Sequence, residues 1–335
     1  MKKVTMQDIA DALQISKNSV SQALGNKNGV GEQTKRLVLQ KADEMGYQYK
    51  KDVIYTPIDN QFALVATEFA LSQKSFFGEI CLSLEQEMMA RGFYLTTLAV
   101  GPEAIAANRL PRELEEKNWR GIFILSHISD VFVKQILELG VPSVMIDHHD
   151  PHLRTDTILS QNKDGAFVAV EHLIELGHTR IGFVGDVDFS PSYEERFEGY
   201  CKAMRHYKLP VNPHYTITSI QEEQAALFQA LEGLEEWPSA WFCVNSGLGF
   251  ILNSYFQSKG FAIPEQVSIV CFDNTEFAIL AQPPLTTMCT DLRFMGRKAA
   301  ETMEWRLRNP SAPIVNVAIG TELVLRESTG RLKDY

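Results

Sequence analysis

From about residue 61 onward, short runs of β-branched and apolar residues alternate with amphipathic stretches of helical period. The alternation predicts a parallel α/β sheet, because each strand of such a sheet is followed by a crossover helix. It excludes an all-helical or an all-β body. The strand-like runs are 62–66, 94–98, 121–125, 143–146, 181–184, 241–244 and 268–272, and the helical stretches are 78–91, 131–139, 165–176, 194–206, 249–259 and 293–308.

The same strand and helix rhythm occurs twice, which predicts two similar lobes, each with a doubly wound parallel sheet. Two more strand-like runs, 314–319 and 322–326, follow the last helix. We expect them to cross back and complete both sheets. The predicted body therefore spans 61–335, with an N-lobe of about 61–160 and 291–319 and a C-lobe of about 161–290 and 320–335.

The first 49 residues predict a small all-α helix-turn-helix domain. Thr5 and Asp8 have the spacing of a capping box, and the helix that they open covers roughly residues 6–13. Ser16 is placed to cap a second helix, whose buried side holds Val20, Ala23 and Leu24. A third helix is predicted over about 32–45, with apolar positions at Leu37, Val38, Ala42 and Met45, and 50–60 is a hinge or linker.

Charge is distributed unevenly along the 335 residues. Residues 1–51 contain nine Lys/Arg against five Asp/Glu, a net charge of +4, so the remainder carries −14 of the total of −10. A basic head on an acidic body predicts that any nucleic acid docks at the head, since phosphate repels the body.

The ends and the cysteines of the chain predict a cytoplasmic protein. The polar start and the lack of an apolar stretch of about 18 residues argue against a signal peptide and a membrane span. Five cysteines form no CxxC pair or disulfide framework, which fits a reducing compartment, and we expect buried thiols at Cys81, Cys201, Cys243, Cys271 and Cys289.

Several segments together resemble the LacI/GalR (lactose-repressor) family of bacterial transcription regulators. They follow the family order from one end of the chain to the other. They are VTMQDIA (4–10) and SKNSVSQAL (16–24) in the head, and EHLIELGHTRI (171–181), VCFDN (270–274), PLTT (284–287) and ELVLREST (322–329) in the body.

The resemblance implies a homodimer whose helix-turn-helix heads bind a near-palindromic operator, with a body like a periplasmic sugar-binding protein that closes on a small effector. In a helix-turn-helix the second helix enters the major groove. We expect base contacts from Lys17, Asn18 and Gln22, and phosphate contacts from Thr5, Ser16, Ser19 and Ser21. The family commonly has Arg where this chain has Gln22, and Gln favours adenine whereas Arg favours guanine.

Two departures from the family pattern lie in or next to the head. The family usually has Gly in the first turn, where this chain has Gln14, so either a left-handed residue there carries strain or the turn differs. Residues 50–60 lack the family's hinge pattern. Val53 or Ile54 could insert between base steps in the minor groove, or the segment is a plain tether.

Candidate effector residues follow predicted strands, because ligands of open α/β sheets bind beyond the carboxyl ends of the strands. Asp147, Asn245 and Asp273 occupy such positions. The resemblance adds Arg196 as the effector arginine and Phe76 and Phe77 as aromatic residues of the cleft. These groups suit a carbohydrate or sugar derivative. Further candidates are Glu68, an extra acid that would favour an amino sugar, together with His148 and Phe242.

The sequence offers no catalytic or cofactor motif. Asp147, His148, His149, Asp150 and His152 look like metal ligands, but near-consecutive residues rarely converge on one ion. GxSxG, HExxH, P-loop and GxGxxG are absent, so we predict no enzyme, no metal and no cofactor. The alternative function is a solute-binding protein without a DNA-regulatory role. The carboxyl end has no leucine heptads, which favours a dimer over a coiled-coil tetramer.

Overall fold

The computed structural model describes residues 4–24, 30–45, 47, 60–116 and 118–332. The chain divides into two compact units, Met1–Thr56 and Pro57–Tyr335. The alternatives for Val53 and Ile54 lie outside the described residues.

The first unit contains three helices: α1 (Met6–Leu13), α2 (Lys17–Leu24) and α3 (Glu32–Glu44). The capping box that begins α1 is confirmed. The hydroxyl of Thr5 accepts the amide hydrogen of Asp8, and the Asp8 carboxylate accepts the amide hydrogen of Thr5 at 2.7 Å. Ser16 Oγ accepts the amide hydrogen of Ser19 at 3.0 Å, as predicted for the start of α2.

A small apolar core holds these helices together. It contains Ile9, Ala10, Val20, Ala23, Val38 and Ala42. Leu37 was predicted to belong to this core, but its side chain is 52% exposed. Leu37 precedes Val38 by one position, and a step of about 100° around a helix turns a neighbour away from the buried stripe.

Gln14 ends α1 in the left-handed conformation, with φ of 55° and ψ of 40°. The first of the two alternatives for this turn is therefore confirmed. A left-handed L-residue costs about 1–2 kcal/mol relative to glycine, because its Cβ approaches the following carbonyl oxygen. The head thus carries local backbone strain at the turn between α1 and α2.

The second unit alternates strands and helices along its whole length. Its strands are β1 (Gln61–Thr67), β2 (Tyr94–Val100), β3 (Gly121–Leu125), β4 (Ser143–Ile146), β5 (Asp156–Ser160), β6 (Ile181–Val184), β7 (Thr216–Ile217), β8 (Ala240–Cys243), β9 (Ser268–Phe272), β10 (Thr286–Thr290), β11 (Asn316–Ile319) and β12 (Thr321–Val324). Its helices are α4 (Glu68–Ser72), α5 (Glu79–Ala90), α6 (Pro102–Ala106), α7 (Arg112–Glu116), α8 (Asp130–Glu138), α9 (Asn162–Glu175), α10 (Pro191–His206), α11 (Gln224–Glu232), α12 (Ser246–Ser258), α13 (Glu276–Leu280) and α14 (Leu292–Arg308).

The strands form two six-stranded sheets, which confirms the predicted α/β class with two doubly wound lobes. The first sheet has the order β11-β5-β4-β3-β1-β2, and all its pairings are parallel. The second has the order β12-β10-β9-β8-β6-β7 and is parallel except for the β10 and β12 pair. The two final strands join different sheets, so the chain crosses back as predicted.

Helices cover both faces of each sheet, and the central strands are therefore buried along their whole length. In β3, β8 and β9 every residue is buried. The expectation of five buried thiols is only partly correct. Cys243 and Cys271 are buried in central strands, whereas Cys81 and Cys201 on helices and Cys289 on β10, next to the edge strand β12, are half-buried.

Candidate functional site

A cavity lies where the carboxyl ends of strands from both sheets come together. This is the position expected for the ligand site of a doubly wound fold. Six of the nine predicted effector residues line it: Phe76, Phe77, Asp147, Arg196, Asn245 and Asp273.

Three residues of the cavity wall have left-handed backbones directly after a strand. They are Ser126 after β3, Asp147 after β4 and Asp273 after β9, with φ of 70°, 58° and 68°. Such conformations are uncommon for residues other than glycine, and strain of this kind concentrates at functional sites. All three bring a polar group into one cavity, which supports a binding role for this edge of the sheets.

Arg196 connects the polar groups of the second lobe. Its guanidinium donates to both carboxylate oxygens of Asp273, at 2.9 and 3.1 Å, and Nε donates to Oδ1 of Asn162 at 2.9 Å. A further bond of 2.8 Å reaches the carbonyl of Val244. Four of the five N–H groups of a guanidinium are therefore engaged, and the ring of Phe272 lies 3.9 Å from its carbon. Arg196 is thus held rigidly before any ligand arrives.

Arg196 is 1% exposed and remains charged. Burial disfavours the charged guanidinium, but the charge and the hydrogen bonds of Asp273 outweigh it and raise the pKa of Arg196. The pair is therefore a fixed, nearly neutral unit in the wall, and Arg196 has little charge left for a ligand.

Asp147 contrasts with Asp273, because no arginine neutralises it by direct contact. It is 9% exposed, and its Oδ1 has no hydrogen-bond partner among the described residues. Burial raises the pKa of Asp147 to about 7, against the opposing charge of Arg196. A buried carboxylate oxygen without a partner is costly, and a ligand that donates a hydrogen bond there would remove that cost.

Glu222 is an acid of the cavity wall that the sequence analysis missed. It precedes α11, and its carboxylate accepts a hydrogen bond from Nδ2 of Asn245. A Cβ atom at Gly247 would lie 2.0 Å from Oε2 of Glu222, so the glycine leaves room for this position of the carboxylate. Burial raises the pKa of Glu222. Asn245 in turn caps α12, since its Oδ1 accepts the amide hydrogen of Leu248 at 2.9 Å.

Aromatic rings form the apolar part of the wall. Phe69 of α4 and Phe189, which follows β6, come from different lobes, and their ring centroids are 5.8 Å apart. Phe189 also contacts Tyr193, at 5.2 Å. Phe76 and Phe77 occupy a π-helical turn at Lys74–Gly78, with centroids 4.9 Å apart. Rings in this arrangement can pack against the apolar face of a sugar. Phe189 and Tyr193 lie beyond the residues that directly follow a strand, whereas Phe69 comes two positions after the end of β1.

Three of the predicted effector residues lie outside the cavity wall, and their proposed contact with an effector stays a prediction. Glu68 begins α4 as an exposed residue, and its carboxylate lies against Gly101. Phe242 belongs to β8 and packs in the core beside Phe183, at 6.0 Å between centroids. His148 follows Asp147, but its side chain is buried beside His127, and burial together with His127 lowers its pKa to about 4.

An ion pair joins the two lobes beside the cavity. Nε2 of His149, which follows β4, lies 2.9 Å from Oε1 of Glu195 in α10. The hydrogen bond to Glu195 raises the pKa of His149. Because the partners belong to different lobes, the pair favours the arrangement in which the lobes approach each other.

The chemical character of the cavity follows from its charged groups. Its described wall contains three carboxylates, those of Asp147, Glu222 and Asp273, against one guanidinium. Of the described residues, no three His, Cys, Asp or Glu side chains gather as they would around a metal ion. Hydrogen-bond acceptors with aromatic walls suit a small polar ligand with several hydroxyl or amino donors.

The predicted DNA-contacting residues lie on the outer side of the head. Lys17, Asn18 and Ser21 are exposed on α2, and Gln22 is partly exposed on the same side. Thr5, Ser16 and Ser19 participate in the helix caps. The buried side of α2 holds Val20 and Ala23, so a polar face is available to DNA. In the parts of the chain that the structure describes, no helix has the length and apolarity to cross a membrane.

Comparison with known proteins shows similarity over nearly the whole chain. Residues 170–329 match the family model of a periplasmic binding protein-like domain. The ribose operon repressor of Haemophilus influenzae is 26% identical over 332 residues, covering 98% of this chain and 99% of that protein. The transcriptional repressor PurR of Vibrio parahaemolyticus and the regulator DegA of Bacillus subtilis are each 26% identical, with the same coverage.

Solved structures agree with this fold. The complex of the transcriptional regulator CelR with cellobiose has a TM-score of 0.73 at 24% identity, covering 97% of this chain and 100% of that one. The lac repressor dimer bound to operator and an anti-inducer has a TM-score of 0.72 at 20% identity, covering 98% and 100%. The likeness includes the head as well as the body.

Proposed function

We propose, on the premise that the chain belongs to the LacI/GalR family of transcriptional regulators, that it is a sequence-specific DNA-binding repressor controlled by a small carbohydrate effector. The effector binds in the cavity between the two lobes and changes the affinity of the head for its operator. The observation that carries the proposal is the joint presence of a helix-turn-helix head and a polar, aromatic cavity in one chain.

The DNA-binding side of the proposal rests on α2. It has exposed polar residues near its amino end, and this is the part of a recognition helix that contacts base edges in the major groove. We assign base contacts to Lys17, Asn18 and Gln22, and phosphate contacts to Thr5, Ser16, Ser19 and Ser21. We also propose 1–49 as the DNA-binding domain and 50–60 as the linker.

The switching mechanism follows from a cavity shared between two sheets. Asp147 belongs to the first sheet, whereas Arg196, Asn245 and Asp273 are held by the second. A ligand that contacts both sets binds the closed arrangement more tightly than the open one, and it shifts the population by this difference in affinity. Coupling between two such bodies then changes the spacing of the two heads.

The homodimer in the proposal has candidate contact surfaces. Ile279 and Leu280 of α13 are 54% and 67% exposed, although they are large and apolar. Exposed apolar residues in a group are typical of protein interfaces. A dimer also explains a near-palindromic operator, because the symmetry of the DNA matches that of the protein.

The alternative, a solute-binding protein without a regulatory role, explains the cavity but leaves the head without a task. The relatives named above are repressors and a regulator, and the similarity to each of them extends over 98% of this chain. In the proposed function the protein is not an enzyme. A regulator of this kind acts in the cytoplasm, where the DNA is.

The proposal is tested by selecting bound duplexes from a random DNA pool with the full-length protein. We expect enrichment of a near-palindromic site whose recovery changes when a panel of sugars is added. If the protein still binds a sugar but enriches no DNA sequence, the result would support the alternative, a solute-binding protein without a regulatory role.

A further inference from the structure

We propose that the effector carries a positively charged amino group, as an amino sugar does, and that the carboxylate of Asp147 binds this group. The inference deepens the proposed function and depends on its effector cavity. It replaces the predicted role of Glu68, whose side chain lies outside the cavity wall.

The first step is the charge balance of the cavity. The guanidinium of Arg196 makes two hydrogen bonds to Asp273, so these two charges cancel within the wall. Asp147 and Glu222 remain, and the described wall contains no other Lys or Arg. A ligand with a negative charge would meet two uncompensated carboxylates, whereas a cation would neutralise at least one of them.

The second step is the environment of Asp147. Its Oδ1 is fully buried and has no described partner, and its backbone is left-handed at φ of 58°. The carboxylate is thus held in a strained position with a hydrogen-bonding oxygen unused. An ammonium group supplies both the missing donor and the missing charge, and charge-assisted bonds of this kind are shorter and stronger than neutral ones.

The third step is the surrounding chemistry, which keeps Asp147 poised between its two protonation states. Burial raises its pKa to about 7. The charged groups that act on it are Arg196, Asp273, Glu195 and His149. A cation favours the ionised carboxylate and lowers this pKa, so its binding near pH 7 releases protons. A neutral sugar that accepts a hydrogen bond favours the protonated form, and its binding takes protons up.

The fourth step concerns Glu222, which fixes the second acidic pole of the cavity. Its carboxylate accepts a hydrogen bond from Asn245, and it lies in the space that Gly247 leaves open. Glu222 therefore contributes a negative potential that adds to the attraction of a cation.

The experiment measures binding of four probes by isothermal titration calorimetry with the full-length protein at pH 7. They are 6-amino-6-deoxyglucose and glucosamine as amines, glucose as the neutral parent and glucose 6-phosphate as an anion. We expect the better amine to bind about ten- to a hundredfold more tightly than glucose, the range expected for one hydrogen bond to a charged group. Glucose 6-phosphate should bind most weakly of the four probes. Titrations in buffers of different ionisation enthalpy should show that binding of 6-amino-6-deoxyglucose, the alkyl amine of the panel, releases protons.

Variants identify the group responsible. Asp147→Asn keeps the shape but removes the charge, so the preference for the amine over glucose should fall to less than about threefold. Glu222→Gln should reduce the preference by a smaller factor, and it serves as a second variant if Asp147→Asn does not fold. Glu68→Gln is the matched control, because Glu68 is an acid outside the cavity wall. The preference of this variant for the amine over glucose should equal that of the unchanged protein.

Equal or tighter binding of glucose would overturn the inference, as would proton uptake with the alkyl amine or an unchanged preference in Asp147→Asn. Failure of both amines to bind would overturn it too. DNA selection separates this failure from failure of the proposed function. A protein that selects an operator but rejects amines remains a regulator with a different effector, whereas one that selects no DNA refutes the proposed function whatever it binds.

Discussion

Replacing Arg196 with Met should destabilise the body strongly and change its affinity for the effector. The guanidinium is buried, and it makes hydrogen bonds to Asp273, Asn162 and the carbonyl of Val244. Its loss leaves the Asp273 carboxylate in the wall without its cation. Breaking a buried ion pair in this way costs about 3–5 kcal/mol. At about 2–4 °C per kcal/mol for a domain of this size, the Tm of the body should fall by about 6–20 °C.

A second buried pair in the chain gives a matched control. Arg306 of α14 donates to both carboxylate oxygens of Asp156, each at 2.7 Å, and it lies away from the cavity wall. Arg306→Met should therefore lower the Tm by a similar amount while the folded protein keeps its affinity for the effector. Differential scanning calorimetry and effector titration below both Tm values separate the two effects.

A double-mutant cycle measures the pair itself. Asp273→Leu alone leaves Arg196 charged and buried, and the combination with Arg196→Met removes both charges together. Because replacing a whole buried pair by apolar residues is often nearly neutral, the double variant should be more stable than the sum of the single losses predicts. A loss under about 1 kcal/mol for Arg196→Met, or strictly additive losses, would refute the reasoning.

Three further predictions concern the head and the lobe interface. Gln22→Arg should shift the base preference at one operator position from adenine to guanine, because Arg bonds guanine O6 and N7 whereas Gln bonds adenine N6 and N7; DNA selection with an unchanged preference would contradict this. Gln14→Gly should stabilise the head by up to about 1 kcal/mol, because glycine relieves the left-handed strain; slower amide exchange in α1 would show it, and faster exchange would count against it. The ion pair of His149 with Glu195 should favour lobe closure fully below pH 6.5, the ordinary pKa of histidine, and should lose this effect as the pH rises through the raised pKa of His149. Energy transfer between dyes on the two lobes measures closure, and Glu195→Gln should remove the pH dependence if the pair is responsible.

The regular elements of the fold could be predicted because their signals are local. The capping box at Thr5 and Asp8 and the buried runs of β3, β4 and β9 depend on neighbouring residues alone. Short elements escaped prediction. The strand β7 has two residues and the helix α13 has five, so neither contains enough periods for a pattern to emerge.

The position of the cavity could be predicted where its residues follow buried parallel strands. Asp147 and Asp273 line it because the carboxyl ends of such strands meet at one edge. His148 and Phe242 lie outside the cavity wall, His148 because its side chain is buried beside His127 and Phe242 because β8 is buried on both faces. Glu222 carries no local signal. It reaches Asn245 from a loop 23 positions earlier in the chain, so only tertiary structure reveals it.

The central claim is that one chain couples an operator-binding head to an effector cavity, and the most direct measurement is the affinity of the full-length protein for its selected operator with and without a bound sugar. Fluorescence anisotropy with the enriched duplex gives both Kd values, and Asp147→Asn supplies the control in which the cavity is changed but the head is not. The account predicts a change in operator Kd of about 5- to 150-fold on saturation with effector, the usual range of allosteric coupling, and its loss in the variant. An operator affinity that stays the same when the cavity is saturated would contradict it.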